Sequence, residues 1–111
     1  MRNISERPDG WVVIKITNKG ETNYKVFGGW GGGYLDGDRW KLNSGISKVE
    51  EDETNYYFYG YSGSCYQCGK EHYGRLTAYC YGTLTSIVDK GNSAGAEVEV
   101  MDKDTNWLGL A

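Results

Sequence analysis

The chain is built from β-prone stretches of about seven residues, each cut by glycine. Residues 11–17, WVVIKIT, are dense in β-branched side chains and read as a strand. Asn18-Lys19-Gly20-Glu21 has turn chemistry, and 24–30, YKVFGGW, resumes the extended pattern, which predicts a hairpin. Residues 39–50 alternate loosely and break phase at Ser44-Gly45, as a strand bent or bulged at the glycine does. Residues 55–61, NYYFYGY, form the most β-prone segment, and Ser62-Gly63-Ser64 repeats the small-residue break before Cys65-Tyr66-Gln67-Cys68 continues or ends the strand. With 17 glycines and one proline in 111 residues, bends rather than long regular elements set the layout.

One segment departs from this pattern. Leu76, Cys80, Leu84 and Val88 fall on one i, i+4 row, flanked by Tyr79, Thr83 and Ile87. Residues 76–81 also alternate, and Gly82 costs a helix interior about 1 kcal/mol. The row extends further than the alternation, and Asp89-Lys90-Gly91 resembles a glycine-capped end, so a helix is expected over 75–90. Residues 96–101, AEVEVM, then read as a last strand with Val98 and Val100 inward. The expectation is an α+β fold of about five antiparallel strands with one covering helix, in the order β-β-β-β-α-β. A chain of 111 residues makes this a single domain, with residues 1–9 as a loose N-terminal segment.

Charge and composition exclude several classes of function. Fifteen acidic residues against twelve basic ones leave −3, which disfavours binding of duplex nucleic acid through phosphate neutralisation. No apolar run is long enough to cross a bilayer, and Met1–Pro8 lacks the apolar stretch of a signal peptide. Three cysteines, an odd number, fit reduced thiols in a cytoplasm better than a disulfide scaffold.

Cys65, Cys68, His72 and Cys80 supply a complete Cys3His zinc set, but their spacing differs from a zinc knuckle. A helix through Cys80 makes that cysteine a small buried hydrophobe instead, so no metal and no cofactor is expected. Asp36-Gly37-Asp38 and Asp102-Lys103-Asp104-Thr105-Asn106 lack the full calcium-loop pattern and read as turns. The glycines at 28–33 match no phosphate-loop pattern, and Gly60-Tyr61-Ser62-Gly63-Ser64 is not a nucleophile elbow. With one histidine and no identifiable base, no catalytic constellation emerges.

Eight of the ten tyrosines lie between residues 56 and 81. In a strand, Tyr57, Tyr59 and Tyr61 share one face and Tyr56, Phe58 and Gly60 the other, so one triplet belongs to the core. The remaining rings either fill a half-exposed sheet or offer rigid contact area to a partner. Backbone amides of a glycine loop beside aromatic rings also suit a nucleotide-like ligand. The candidate binding set is therefore Trp30, Gly31, Gly32, Tyr34, Arg39, Tyr57, Tyr59 and Tyr61.

The run from Gly33-Tyr34-Leu35-Asp36-Gly37-Asp38 through Ile46, followed by Gly60–Cys68 and Tyr73-Gly74, resembles small accessory proteins of tailed bacteriophages. The resemblance spans residues 11–90 and carries no catalytic residues. It implies a short protein in the cytoplasm of an infected bacterium, where many such proteins act by binding alone. Three functions follow as expectations: a binder that blocks a host bacterial protein, such as a defence component, through the tyrosine face; a sponge for a small nucleotide signal; and a zinc-stabilised nucleic-acid module. Aromatics not used in the core also leave room for a homo-oligomer.

Overall fold

A computed structural model describes residues 2–32 and 37–110. β1 (Gly10–Asn18) and β2 (Glu21–Trp30) form the expected hairpin, with Asn18 opposite Glu21. Both residues of its tight turn have positive φ, Lys19 at 52° and Gly20 at 81°, which matches the twist of the paired strands.

β3 (Arg39–Leu42) pairs with the outer edge of β2, and the chain then leaves that sheet. The exit is held by the buried Asn43, whose amide donates to the Val26 carbonyl at 3.0 Å and whose Oδ1 accepts from the Val26 amide at 2.9 Å. Gly45, at φ 127°, makes the bend, and β4 (Ile46–Glu51) begins a second sheet. The bent strand expected over 39–50 is thus two strands in different sheets. β5 (Asn55–Gly60) and β6 (Cys65–Gly69) follow as a hairpin whose turn contains Gly63 at φ 91°. After α1 (Ala78–Ser93), β7 (Glu97–Val100) returns beside β1.

The α+β class and its one helix agree with the sequence, while the strand count is seven rather than about five, in two antiparallel sheets. The sheet orders are β3-β2-β1-β7 and β4-β5-β6. The four-stranded sheet is the middle layer, with α1 on one face and the three-stranded sheet on the other. β1 is buried on both sides, which explains the uninterrupted WVVI. Val12, Ile14 and Phe27 meet Cys80, Leu84 and Val98 under the helix. Trp11, Val13 and Val26 meet Phe58, Tyr66, Cys68 and Trp107 between the sheets. Trp11 anchors this second core: its Nε1 donates to the Gly69 carbonyl at 2.7 Å, and Tyr73 and Phe58 lie 4.9 and 5.3 Å from its ring.

α1 starts at Thr77, whose hydroxyl accepts from the Cys80 amide at 3.2 Å. It runs past the expected stop at Asp89-Lys90-Gly91 and ends at Ser93, with Gly95 taking the positive φ of 98°. Gly91 serves close approach rather than capping, since a Cβ there would lie 2.5 Å from Val98 Cγ2. In β7, Val98 is inward as expected but Val100 is 43% exposed.

The residues before β1 run beside β6. The Ser5 and Glu6 amides donate to the Cys65 carbonyl at 2.9 and 3.3 Å, and the Gln67 amide donates to the Glu6 carbonyl at 2.9 Å. Pro8 then packs over Gly28, where a Cβ would lie 3.0 Å from the proline ring. No helix among the described residues is long and apolar enough to cross a membrane.

Candidate functional site

The residues singled out from the sequence divide between two sheets. Trp30, Gly31, Gly32 and Arg39 come together at the ends of β2 and β3, where they line a recess of about 360 Å³ with Asp9 and Gly37. The Arg39 guanidinium sits 4.4 Å over the Trp30 ring, and Trp30 Nε1 donates to the Arg7 carbonyl at 3.0 Å. The Gly31 amide, expected to be available to a phosphate, donates to Asp9 Oδ2 at 2.9 Å. Tyr34 lies outside the described residues.

Tyr57 and Tyr59 project from the outer face of the three-stranded sheet, opposite Phe58 in the core. Their chemistry is already occupied. The Tyr57 hydroxyl donates to Asp52 Oδ2 at 2.5 Å, and the Arg2 guanidinium lies 3.9 Å over the ring. The Tyr59 hydroxyl donates to Glu50 Oε1 at 2.8 Å, and Lys48 Nζ lies 4.4 Å over its ring. Asp52 is held below the ordinary carboxylate range, first by the Tyr57 hydroxyl and then by the amides of Thr54 and Asn55. Glu50 is lowered chiefly by the Tyr59 hydroxyl. Burial, followed by the bond to Glu50, pushes Tyr59 up to about 12. Tyr57 is buried, Tyr59 is half-buried, and Tyr61 alone of the three is open, at 69%.

The four candidate zinc ligands are dispersed by the layering. Cys80 lies in the core under the helix and Cys68 in the core between the sheets. Cys65 is buried on the outer face beside Tyr59, and His72 is exposed in a short 3-10 turn. Burial raises the thiol pKa of both Cys65 and Cys68. No group of three or more metal-ligating side chains occurs among the described residues. At Asp102, Oδ1 accepts from the Asp104 amide at 3.0 Å and the carbonyl accepts from Thr105, which is turn geometry.

A different surface was not singled out from the sequence. Beside α1 lies a groove of about 320 Å³, walled by Tyr81, Leu84, Thr85 and Val88 on the helix and by Val12 and Val100 on the sheet. Its origin is topological. β7 pairs only with Ile14–Thr17, so the start of β1 is flanked by the 73–76 segment, whose Gly74 amide donates to the Trp11 carbonyl at 2.8 Å. Tyr73 also lines the groove, and its hydroxyl donates to the Met101 carbonyl. Tyr81 on the helix is 61% exposed, and Val100 on the facing sheet wall is 43% exposed. The available signal was the lack of charge: residues 76–88 contain no Asp, Glu, Lys or Arg, although the helix has an exposed face.

The chain matches no protein family. It also matches no curated protein and no solved structure.

Proposed function

We propose that this is a non-enzymatic binding protein that acts by covering a surface of a host bacterial protein, in keeping with its resemblance to bacteriophage accessory proteins. The observation that carries this reading is the open apolar groove beside α1, where Tyr81 and Val100 remain exposed. The occupied hydroxyls and covered rings of Tyr57 and Tyr59 favour that groove over the tyrosine face expected from the sequence.

The test is affinity capture from a bacterial lysate with the full chain and with Val100→Glu, followed by mass spectrometry. One bacterial protein retained by the wild type and lost by the variant is the expected result. Retention unaffected by the variant overturns the assignment to the groove.

A second reading, capture of a small nucleotide, is favoured by the convergence of Trp30, Gly31, Gly32 and Arg39 on one recess with a guanidinium stacked on indole. Native mass spectrometry of protein from infected cells separates the two. A nucleotide-mass adduct that disappears in Arg39→Ala supports the recess, and protein without an adduct removes this reading.

A further inference from the structure

Asn43, at the junction of the two sheets, is 3% exposed and uses only half of its side chain. Its Oδ1 accepts from the Val26 amide at 2.9 Å and from the Gly45 amide at 3.3 Å. Two backbone donors on one atom fix which end of the amide is oxygen, so the other end is the Nδ2 donor. Nδ2 and the buried Oγ of Ser64 are the two buried side-chain polar atoms that have no hydrogen-bond partner among the described residues. They border the same small space. A Cβ built on Gly60 would lie 2.7 Å from Ser64 Oγ, 2.7 Å from Ser44 Oγ and 3.6 Å from Asn43 Nδ2. Ser44 and Ser62, both exposed, form the outer rim: Ser44 Oγ donates to Ser62 Oγ at 3.1 Å and accepts from the Ser62 amide at 3.0 Å.

A buried amide or hydroxyl left without a partner costs free energy, and two such atoms beside one space share one remedy. Their chemistry defines the occupant. Nδ2 only donates, the Ser64 hydroxyl donates or accepts, and Ser44 Oγ retains one acceptor position. The occupant must therefore both accept and donate. Residues 42–47 and 54–69 contain no Asp, Glu, Lys or Arg, so these segments offer no counter-charge to a buried ion. Gly60 is not among the glycines with positive φ, so its lack of a side chain serves the space and not the backbone angle.

We propose that one water molecule is bound beside Gly60 as a fixed part of the protein. It accepts from Asn43 Nδ2 and bonds the hydroxyls of Ser64 and Ser44, the three partners usual for an internal water. Asn43 is tied to β2 and Ser64 opens β6, so this water joins the exit from the four-stranded sheet to the β5–β6 turn. The small residues at 60–64 thereby serve as a binding site as well as a turn.

The first test is the sign of a stability change. With the water in place, Ser64→Ala removes one of its partners and should lower the folding equilibrium constant in urea about fivefold. With no ligand on that hydroxyl, the same substitution removes an unpaired buried group and leaves stability equal or higher. The second test is a high-resolution crystal structure of the wild type grown in bromide. The expected result is a water peak about 3 Å from both Asn43 Nδ2 and Ser64 Oγ, without anomalous signal. Ser64→Ala at least as stable as wild type overturns the inference. So does a map with no peak between these atoms, or a peak with the anomalous signal of bromide.

Discussion

The outer face of the three-stranded sheet and the groove beside α1 are both rich in tyrosine, yet they are opposite kinds of surface. On the sheet, Tyr57 and Tyr59 each have a carboxylate at the hydroxyl and a cation over the ring. No charged side chain lies between Leu76 and Val88, and Tyr81 lines an apolar cleft beside α1. Tyrosine density is therefore a poor guide to an available surface. What decides availability is whether the chain supplies partners for the ring and the hydroxyl, and those partners come from other elements. Glu50 comes from the end of β4 and Asp52 from the turn after it, and Arg2 lies some fifty-five residues away from the ring it covers.

The largest expected contrast is between two alanine substitutions. Tyr57→Ala removes a buried aromatic and should cost about 3 kcal/mol in denaturant unfolding. Tyr81→Ala should stay within about 0.5 kcal/mol of wild type. Comparable losses at both positions would erase the distinction between a closed and an open face. Two glycines of α1 give the same comparison in smaller form. Gly91→Ala drives a methyl into Val98 and should cost about 1–3 kcal/mol. At Gly82 an added Cβ meets nothing within 4 Å, so Gly82→Ala should raise stability by about 0.5–1 kcal/mol. A loss of stability at Gly82 would mean that the exposed side of the helix is closed after all.

Acid sharpens the sheet side of the comparison. Glu50 and Asp52 have folded-state pKa values below their ordinary ones, so their contribution is present above the unfolded pKa of about 4 and is lost as pH falls through the lowered values. The acid limb of thermal stability should therefore be shallower in Tyr57→Phe/Tyr59→Phe, which lacks both hydroxyl donors. An unchanged limb would show that the two bonds do not hold these carboxylates in solution.

The α+β class, the first hairpin and the inward helical row were legible because each rests on local periodicity, with Cys80 and Leu84 buried as the i, i+4 spacing requires. The division into two sheets was not legible. It depends on Asn43 bonding to Val26, seventeen residues distant, and on Gly45 reversing the path between β3 and β4. A glycine marks where a chain bends, but it does not say which sheet the next strand will join. The candidate site was legible in part. Trp30, Gly31, Gly32 and Arg39 do converge, whereas Tyr57 and Tyr59 lie on the other sheet and Tyr61 falls in the turn after β5. The groove has no motif in the sequence because it arises from the shortness of β7 beside β1, a property of pairing.

The proposed function places a partner in the groove beside α1 and not on the tyrosine face. The most direct measurement is a two-dimensional NMR titration of the full chain with the bacterial protein retained in the lysate capture. Docking there confines the shifts to the surroundings of Tyr73, Tyr81, Val88 and Val100. Shifts centred on Tyr57–Tyr61, or on Trp30 and Arg39, would contradict it.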